Sequence, residues 1–227
     1  MRPAGSDPIE PAPPPRPAVP PQPVRVSTGK IEYADGVVRL SQSFVLEHPR
    51  EAVWALMSDV EAVAECMPGA HLDGPPQAGR LRGRIEVKLG PVAARFEGEG
   101  TVAAFPGEHR QVIEGRGVDR KGGSRVSGSV DYRLFECAGA EGGAATRAEV
   151  VIGYALTGLL AQLGRSGLAR DLAQRIGEAF AQGIDARLGQ GSGRAAPPVP
   201  LNAFALILSA MRARLRAVLA RLGGSRG

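Results

Sequence analysis

The composition of the 227-residue chain is that of one globular domain with appendages. Hydrophobic residues make up 43% of the chain, enough for a buried core, and the two cysteines give no disulfide framework. The formal net charge of +5 is uneven, because residues 186–227 hold seven arginines and no acidic residue. Residues 1–185 are therefore slightly acidic. This excludes a basic, nucleic-acid-binding core and predicts an anionic partner for the C-terminal segment alone.

The N-terminal segment predicts no folded structure. Ten of the nineteen prolines lie in residues 1–23, and such a composition is typical of a disordered or polyproline-II tail. We assign residues 1–35 to this tail, which acts as a spacer or as a docking site for a proline-binding module. The sequence has no apolar signal-peptide core and no apolar run long enough to span a membrane. We expect a cytoplasmic protein, since its cysteines suit a reducing compartment.

A pattern of alternating apolar and polar residues begins at Gly36 and predicts strands that are buried on one face. The apolar positions of the first strand are Val38, Leu40, Phe44 and Leu46. Further alternating runs cover residues 80–89, 94–102, 125–134 and 148–156, and a weaker one covers 110–118. Because each strand keeps one polar face, we expect an antiparallel sheet that is covered on one side only.

Three helices complete the predicted domain. Pro49 starts a short helix after the first strand, and either residue of the Ser58-Asp59 pair caps a second one. A long helix over residues 166–188 repeats apolar residues every three or four positions, so it has one face for the sheet. We therefore predict an α+β helix-grip fold over residues 36–189, with a curved antiparallel sheet wrapped around the long C-terminal helix.

An additional amphipathic helix is predicted over residues 201–222, after a Gly/Pro linker at 190–200 and before a disordered end at 223–227. Arginines without acidic neighbours flank its apolar stripe; they would repel one another in a coiled-coil dimer but are attracted to anionic lipid headgroups. We favour a membrane-surface helix, with an acidic protein groove or self-packing as alternatives. The predicted membrane-binding residues are Phe204, Ile207, Leu208, Met211, Arg212, Arg214, Leu215, Arg216 and Arg221.

The inner face of the predicted sheet carries four glycines where neighbouring positions are apolar: Gly83, Gly98, Gly100 and Gly128. Such glycines let a sheet curve and can leave an apolar cavity under the helix. The alternative is that they mark bulges or closer packing, with no ligand. The predicted pocket residues are Leu40, Phe44, Trp54, Met57, Leu81, Ile85, Phe96, Tyr132, Tyr154, Leu156, Leu168, Leu172, Ile176 and Phe180.

No residue pattern indicates catalysis or metal binding. The three histidines are far apart and lack ligand spacing. The strand carboxylates fall on the polar phase of the alternation, at Glu86, Glu97, Glu99 and Asp131. We therefore expect no catalytic residue, no metal ligand, no covalent cofactor and no enzymatic activity of the chain's own.

Four segments together resemble a known family. They are PREAVWAL at 49–56, CMPGA at 66–70, KLGPV with RFEG within 88–98, and GLLAQLG at 158–164. Through them, residues 38–188 resemble the CoxG family of carbon monoxide dehydrogenase subunits, in the polyketide cyclase/START-like (SRPBCC) superfamily. The proline-rich N-terminus departs from the usual pattern of that family, in which the first strand lies at or near residue 1.

The resemblance implies a hydrophobic-pocket accessory protein of an aerobic carbon monoxide dehydrogenase-type molybdenum hydroxylase. Such a protein binds a respiratory quinone, menaquinone or ubiquinone, and delivers it between membrane and enzyme while recruiting the enzyme to the inner face of the cell membrane. Tyr132 and Tyr154 are candidate contacts for the quinone head. The partner enzyme could oxidise carbon monoxide or another substrate. The alternatives are a ligand-free membrane anchor or assembly factor for the same enzyme, and a small cyclase-type enzyme, which the lack of inward acid–base residues disfavours.

The predicted membrane helix can be tested by truncation. A chain that ends at Gly189 lacks the apolar stripe and six of the seven C-terminal arginines, so we expect it to lose membrane association. Co-sedimentation with host membranes measures this for the full and the truncated chain. If the truncated chain still sediments with membranes, the interpretation of residues 201–222 is wrong.

Overall fold

The computed structural model describes residues 24–89, 92–158, 160–161 and 167–189. In chain order, its first elements are β1 (Val26–Thr28), β2 (Glu32–Ala34), β3 (Val37–Leu46), α1 (Arg50–Ser58), α2 (Val60–Cys66), β4 (Ala70–Leu72) and β5 (Arg80–Leu89). They are followed by β6 (Val92–Phe105), a 3₁₀ turn (Pro106–Glu108), β7 (Arg110–Asp119), β8 (Ser124–Ala138), β9 (Ala144–Thr157) and α3 (Gly167–Gly189). The predicted tail at 1–23, linker at 190–200, helix at 201–222 and end at 223–227 lie outside the described residues.

All described strands belong to one antiparallel sheet. Its order is β1-β3-β9-β8-β7-β6-β5-β4, and β2 also pairs with β3. Successive hairpins join β5 through β9, and the first of them pairs β5 with β6, with Ile85 opposite Phe96. Apolar residues alternate to one face, and α3 lies across that face, with Ala181 and Ile184 fully buried. This arrangement confirms the predicted α+β helix-grip fold.

The two short helices follow β3 as predicted. Pro49 is the N-cap residue of α1, where its missing N–H removes no helix hydrogen bond. Asp59, rather than Ser58, caps α2: its Oδ1 accepts from the backbone N–H groups of Glu61 at 3.0 Å and Ala62 at 3.2 Å. This cap satisfies two of the donors that a helix start leaves unpaired.

The predicted start of the ordered domain at Gly36 is wrong. β1 and β2 precede that residue; Val26 of β1 is buried opposite Phe44 of β3. β4, which pairs with β5, was also not predicted. Strands of three residues offer too few positions for an alternating pattern, and β1 follows directly on the proline-rich segment. These strands exist because a longer neighbour provides hydrogen-bond partners.

The inner-face glycines allow neighbouring strands to approach closely. Gly83, Gly98 and Gly117 form one row of cross-strand neighbours, and Gly100, Gly115 and Gly128 form a second. A Cβ atom built on Gly98 would lie 1.9 Å from the carbonyl oxygen of Arg116, and one on Gly83 would lie 2.2 Å from that of His71. The prediction that these glycines leave cavity space is therefore wrong. They permit close contact between backbones, as the alternative held.

The hydrophobic core consists of two separate clusters. The larger one joins α1, the C-terminal half of α3 and the strands β3, β8 and β9 around Leu46, Val53, Leu134 and Ile184. The smaller one contains Ala94, Phe96 and Leu160. The sheet is thus wider than the part that the described helices pack against, and a space is left between the clusters. Among the described helices, none is long and apolar enough to cross a membrane.

Substitution of Gly98 should destabilise the fold strongly. In Gly98→Ala the added methyl group meets neighbouring backbone, which has no flexible end to move, so we expect a loss of about 1–3 kcal/mol in the free energy of unfolding. Gly107→Ala is the matched control, because a Cβ there has no atom within 4 Å, and it should stay within about 0.5 kcal/mol of the parent. Urea unfolding measures both. Equal stability of the two variants would contradict the close approach.

Candidate functional site

A cavity of about 440 Å³ lies between the inner face of the sheet and α3. It occupies the space between the two core clusters and takes wall residues from both. The wall is formed by Leu40, Gln42, Phe44, Met57, Val63, Met67, Ile85, Val87, Ala94, Phe96, Ile113, Val126, Val130, Tyr132, Val150, Ile152, Tyr154, Leu156, Leu160, Leu172, Ala173, Ile176, Gly177 and Phe180. This set is almost entirely apolar, so the cavity suits a hydrophobic ligand.

Most of the predicted pocket residues lie in this wall. They are Leu40, Phe44, Met57, Ile85, Phe96, Tyr132, Tyr154, Leu156, Leu172, Ile176 and Phe180. Leu168 belongs to α3, at a position whose side chain is outside the described set. Whether the wall residues contact a ligand stays a prediction.

Trp54 and Leu81 lie outside the wall. On α1, Val53 and Met57 form the buried face. Trp54 is one position further along the helix than Val53 and lies beside that face. Its ring centroid is 5.6 Å from that of His109 and 6.5 Å from that of Tyr132. Leu81 is at the start of β5 opposite Gly100 and lines a separate groove. Apolar character alone did not distinguish a wall position from a neighbouring one.

The cavity wall reaches the solvent-exposed surface beside β4 and β5. Ile85 belongs to the wall, yet it is 50% exposed. It lies opposite Ala70 of β4, close in sequence to the wall residue Met67 at the end of α2. Ile85 is therefore the candidate position for an entrance to the cavity among the described residues.

Tyr132 is buried, and its hydroxyl group is used within the protein. The hydroxyl donates to the carbonyl oxygen of Met57 at 2.7 Å and lies 3.0 Å from Oε1 of Gln111. Burial raises the pKa of the Tyr132 phenol well above its usual value. Tyr132 therefore presents its neutral ring to the cavity, and its hydroxyl holds α1 to the sheet.

Tyr154 is partly buried in the same wall. Burial raises the pKa of its phenol, and the neighbouring Tyr33 raises it further. Both wall tyrosines are thus neutral at physiological pH, and the described wall contains no carboxylate, imidazole, thiol or basic side chain.

Gln42 is the third polar wall residue, and it is only 7% exposed. Its Nε2 donates to Oγ1 of Thr28 at 3.0 Å and to the backbone oxygen of Ala173 at 2.9 Å. Thr28 in turn donates to Oε1 of Gln174, whose Nε2 donates to the backbone oxygen of Val26 at 2.6 Å. This network links β1, β3 and α3, and it satisfies polar groups that would otherwise be costly to bury.

Comparison with known proteins assigns the family. The model of the carbon monoxide dehydrogenase CoxG family matches residues 43–189. The chain belongs to the CoxG family. No curated protein shows significant similarity to it.

Several solved structures resemble this CoxG-family chain. A conserved protein from Geobacillus kaustophilus is 15% identical, with a TM-score of 0.57 over 67% of this chain and 95% of that one. The Zhui aromatase/cyclase from Streptomyces sp. R1128 is 16% identical, with a TM-score of 0.48 over 72% and 99%. The lipid transfer domain of human StarD13 is 10% identical, with a TM-score of 0.48 over 70% and 84%. At such identity the Geobacillus structure supports the fold alone.

The four carboxylates on the polar phase of the strands, Glu86, Glu97, Glu99 and Asp131, lie in ion pairs in this CoxG-family sheet. Glu99 pairs with Arg116, and Asp131 accepts from Arg110 at 2.7 and 2.9 Å. The neighbouring arginines hold the pKa of both carboxyl groups below the usual value. Glu86 and Glu97 pair with the arginines two residues before them in their strands. Among the described residues, no cluster of side chains could hold a metal ion.

Several wall residues of the CoxG-family cavity were missed. Seven of the thirteen lie on the inner phase of strands already predicted, so they could have been found: Val87, Ala94, Ile113, Val126, Val130, Val150 and Ile152. Gln42 also falls on the inner phase of β3, between Leu40 and Phe44. A polar residue at an apolar position was the available signal for it. Val63 and Met67 depend on how α2 packs, which no local pattern indicates.

Removal of the Tyr132 hydroxyl should lower stability. Tyr132→Phe leaves the Met57 carbonyl without this donor and Gln111 without this partner, so we expect a loss of about 1–3 kcal/mol in the free energy of unfolding at pH 7. Ser58→Ala removes an exposed hydroxyl that donates to Ala55 at 3.3 Å and should change stability by less than about 0.5 kcal/mol.

The same variant has a pH signature. Because the folded pKa of Tyr132 is raised, its neutral form stabilises the fold fully below the unfolded value of about 10, and this contribution is lost as pH rises further. The stability difference between parent and Tyr132→Phe should therefore shrink above about pH 10 in urea unfolding series. A constant difference up to pH 11 would contradict the buried position of this hydroxyl.

Proposed function

We propose that the protein binds a respiratory quinone, menaquinone or ubiquinone, and delivers it between the cell membrane and a carbon monoxide dehydrogenase-type molybdenum hydroxylase. In this function it also recruits that enzyme to the membrane surface. The observation that carries the proposal is the apolar cavity under α3 in a chain of the CoxG family. Family and fold support the coarser function of a hydrophobic-ligand-binding accessory protein.

The cavity supports a ligand with a compact head and an apolar chain. Its volume of about 440 Å³ lies within the range of pockets that enclose small organic molecules. A long isoprenoid chain exceeds this space, and an entrance at Ile85 would provide a route for the remainder. Burial of each CH₂ group is worth about 0.8 kcal/mol, so a few isoprene units provide several kcal/mol of binding.

The predicted C-terminal helix supports the membrane part of the proposal. A lipid-soluble ligand must be taken from a bilayer, and an amphipathic helix with arginines at its flanks is attracted to anionic lipids. The neutral tyrosines and apolar side chains of the wall supply no acid, base or nucleophile for chemistry on the ligand. We therefore assign the redox step to the partner enzyme and the binding of its substrate to this chain.

The proposal is tested by the lipid that the full chain carries. Protein purified from its host membranes should contain close to one quinone per chain in extracts analysed by mass spectrometry. Ala94→Phe should lose most of this quinone, because Ala94 is buried in the wall and the ring fills cavity space. Ala93→Phe is the matched control, since Ala93 is exposed on the opposite face of β6, and it should keep its ligand.

The outcomes separate the proposal from its rival. If the purified chain holds no stoichiometric quinone but still recruits its enzyme to membranes, it is a ligand-free anchor or assembly factor. Quinone that stays bound at the parental level in a folded Ala94→Phe variant would place the ligand outside this cavity and overturn the proposal.

A further inference from the structure

The orientation of the Gln42 side chain is fixed by its hydrogen-bond network. The backbone oxygens of Val26 and Ala173 can only accept hydrogen bonds. The atom of Gln174 that lies 2.6 Å from the Val26 oxygen is therefore its amide nitrogen, and its oxygen faces Thr28. A second acceptor, Oε1 of Glu178, lies 2.7 Å from the same nitrogen and requires the same orientation.

The hydroxyl group of Thr28 fixes the orientation of the Gln42 amide in the same way. A hydroxyl group has one hydrogen, and Thr28 donates it to Oε1 of Gln174. The Thr28 oxygen therefore accepts from Nε2 of Gln42 at 3.0 Å. Independently, the backbone oxygen of Ala173 accepts from the same nitrogen at 2.9 Å. Both hydrogens of the Gln42 amide are thus used, and the amide cannot turn over without losing two bonds.

The remaining polar atom is the amide oxygen of Gln42. No hydrogen bond between described residues has this Oε1 as its acceptor. Gln42 and Gly177 are both wall residues, and a Cβ on Gly177 would lie 2.8 Å from the oxygen. The absence of a side chain at Gly177 gives the amide its place beside α3. The cavity therefore presents a fixed hydrogen-bond acceptor in an apolar wall.

We propose that Gln42 determines the specificity of the cavity, and that its Oε1 selects ligands whose head group donates a hydrogen bond. If the proposed function holds, on which this identity rests, the selected ligand is the hydroquinone rather than the quinone. A hydroquinone hydroxyl donates to Oε1, whereas a quinone carbonyl opposite the same oxygen loses its water contacts without replacement. The protein then holds the reduced form more tightly than the oxidised form.

Calorimetric titration of the delipidated full chain tests the proposal. One probe pair is ubiquinone-1 and its reduced form; the other is 4-decylphenol and its methyl ether 4-decylanisole, which differ in the donor and undergo no redox change. We expect the hydroxyl-bearing member of each pair to bind about tenfold more tightly. For the quinone pair, this raises the midpoint potential of the bound couple by about 30 mV.

Two variants and a control assign the preference to Gln42. Gln42→Met removes the acceptor at similar size, and Gly177→Ala displaces the amide while favouring the helix. The preference should fall towards onefold in both. Val45→Ala changes an exposed residue on the outer face of the same strand as Gln42 and should keep the preference. A preference that persists in a folded Gln42→Met variant overturns the proposal.

The two probe pairs separate this inference from the proposed function. Equal binding of ubiquinone-1 and its reduced form would overturn the selection of hydroquinone and leave the quinone function standing. A Gln42-dependent preference for 4-decylphenol, with no binding of either quinone form, would uphold the acceptor and overturn the quinone function. Absence of binding by all four probes overturns both.

Discussion

The structure depends on a mismatch between a wide apolar sheet face and the single long helix described against it. α3 buries Ala181 and Ile184 against Leu46 and Val53 at one end, and a smaller cluster around Phe96 closes the other. Two rows of cross-strand glycines let neighbouring strands approach so closely that a side chain at Gly83 or Gly98 would meet the adjacent backbone. Packing is dense at both ends, and the space between them stays open. The cavity therefore lies between the two packed clusters, and the sheet glycines are absent from its wall.

The polar network around Gln42 gives the cavity a fixed boundary. β1 is three residues long and could not persist alone, yet it supplies Thr28 and the Val26 oxygen to side chains of β3 and α3. A short edge strand thus anchors the helix beside the cavity. The buried donors of this network are tolerated because each of them has an acceptor. The same bonds prevent rotation of an amide that would otherwise adapt to any ligand.

Local pattern predicted most of the fold because each long strand keeps an apolar phase over many residues. β8 and β9 were found in this way, and helix-cap chemistry offered Asp59 as one of two candidate caps for α2. β1, β2 and β4 were missed because three residues carry no periodicity. At the site, alternation identified Phe96 and Leu156 as inner residues. The same apolar pattern wrongly placed Trp54 and Leu81 in the cavity wall, because their positions depend on the orientation of α1 and on where the cavity ends along β5. Gln42 broke the pattern of its strand, and such a break is where sequence reasoning should look for function.

The apolar and polar parts of the cavity act on different properties of a ligand. Burial of an isoprenoid chain provides several kcal/mol at about 0.8 kcal/mol per CH₂ group, and this energy is the same for oxidised and reduced quinone. A hydrogen bond at the head is worth only about 0.5–1.5 kcal/mol net, but it differs between the two forms. In the proposed function, the isoprenoid chain of the ligand therefore provides most of the affinity, and the head group provides the difference in affinity between the oxidised and reduced forms. With one oriented acceptor among neutral side chains, a single hydrogen bond is sufficient for the proposed preference between the two forms.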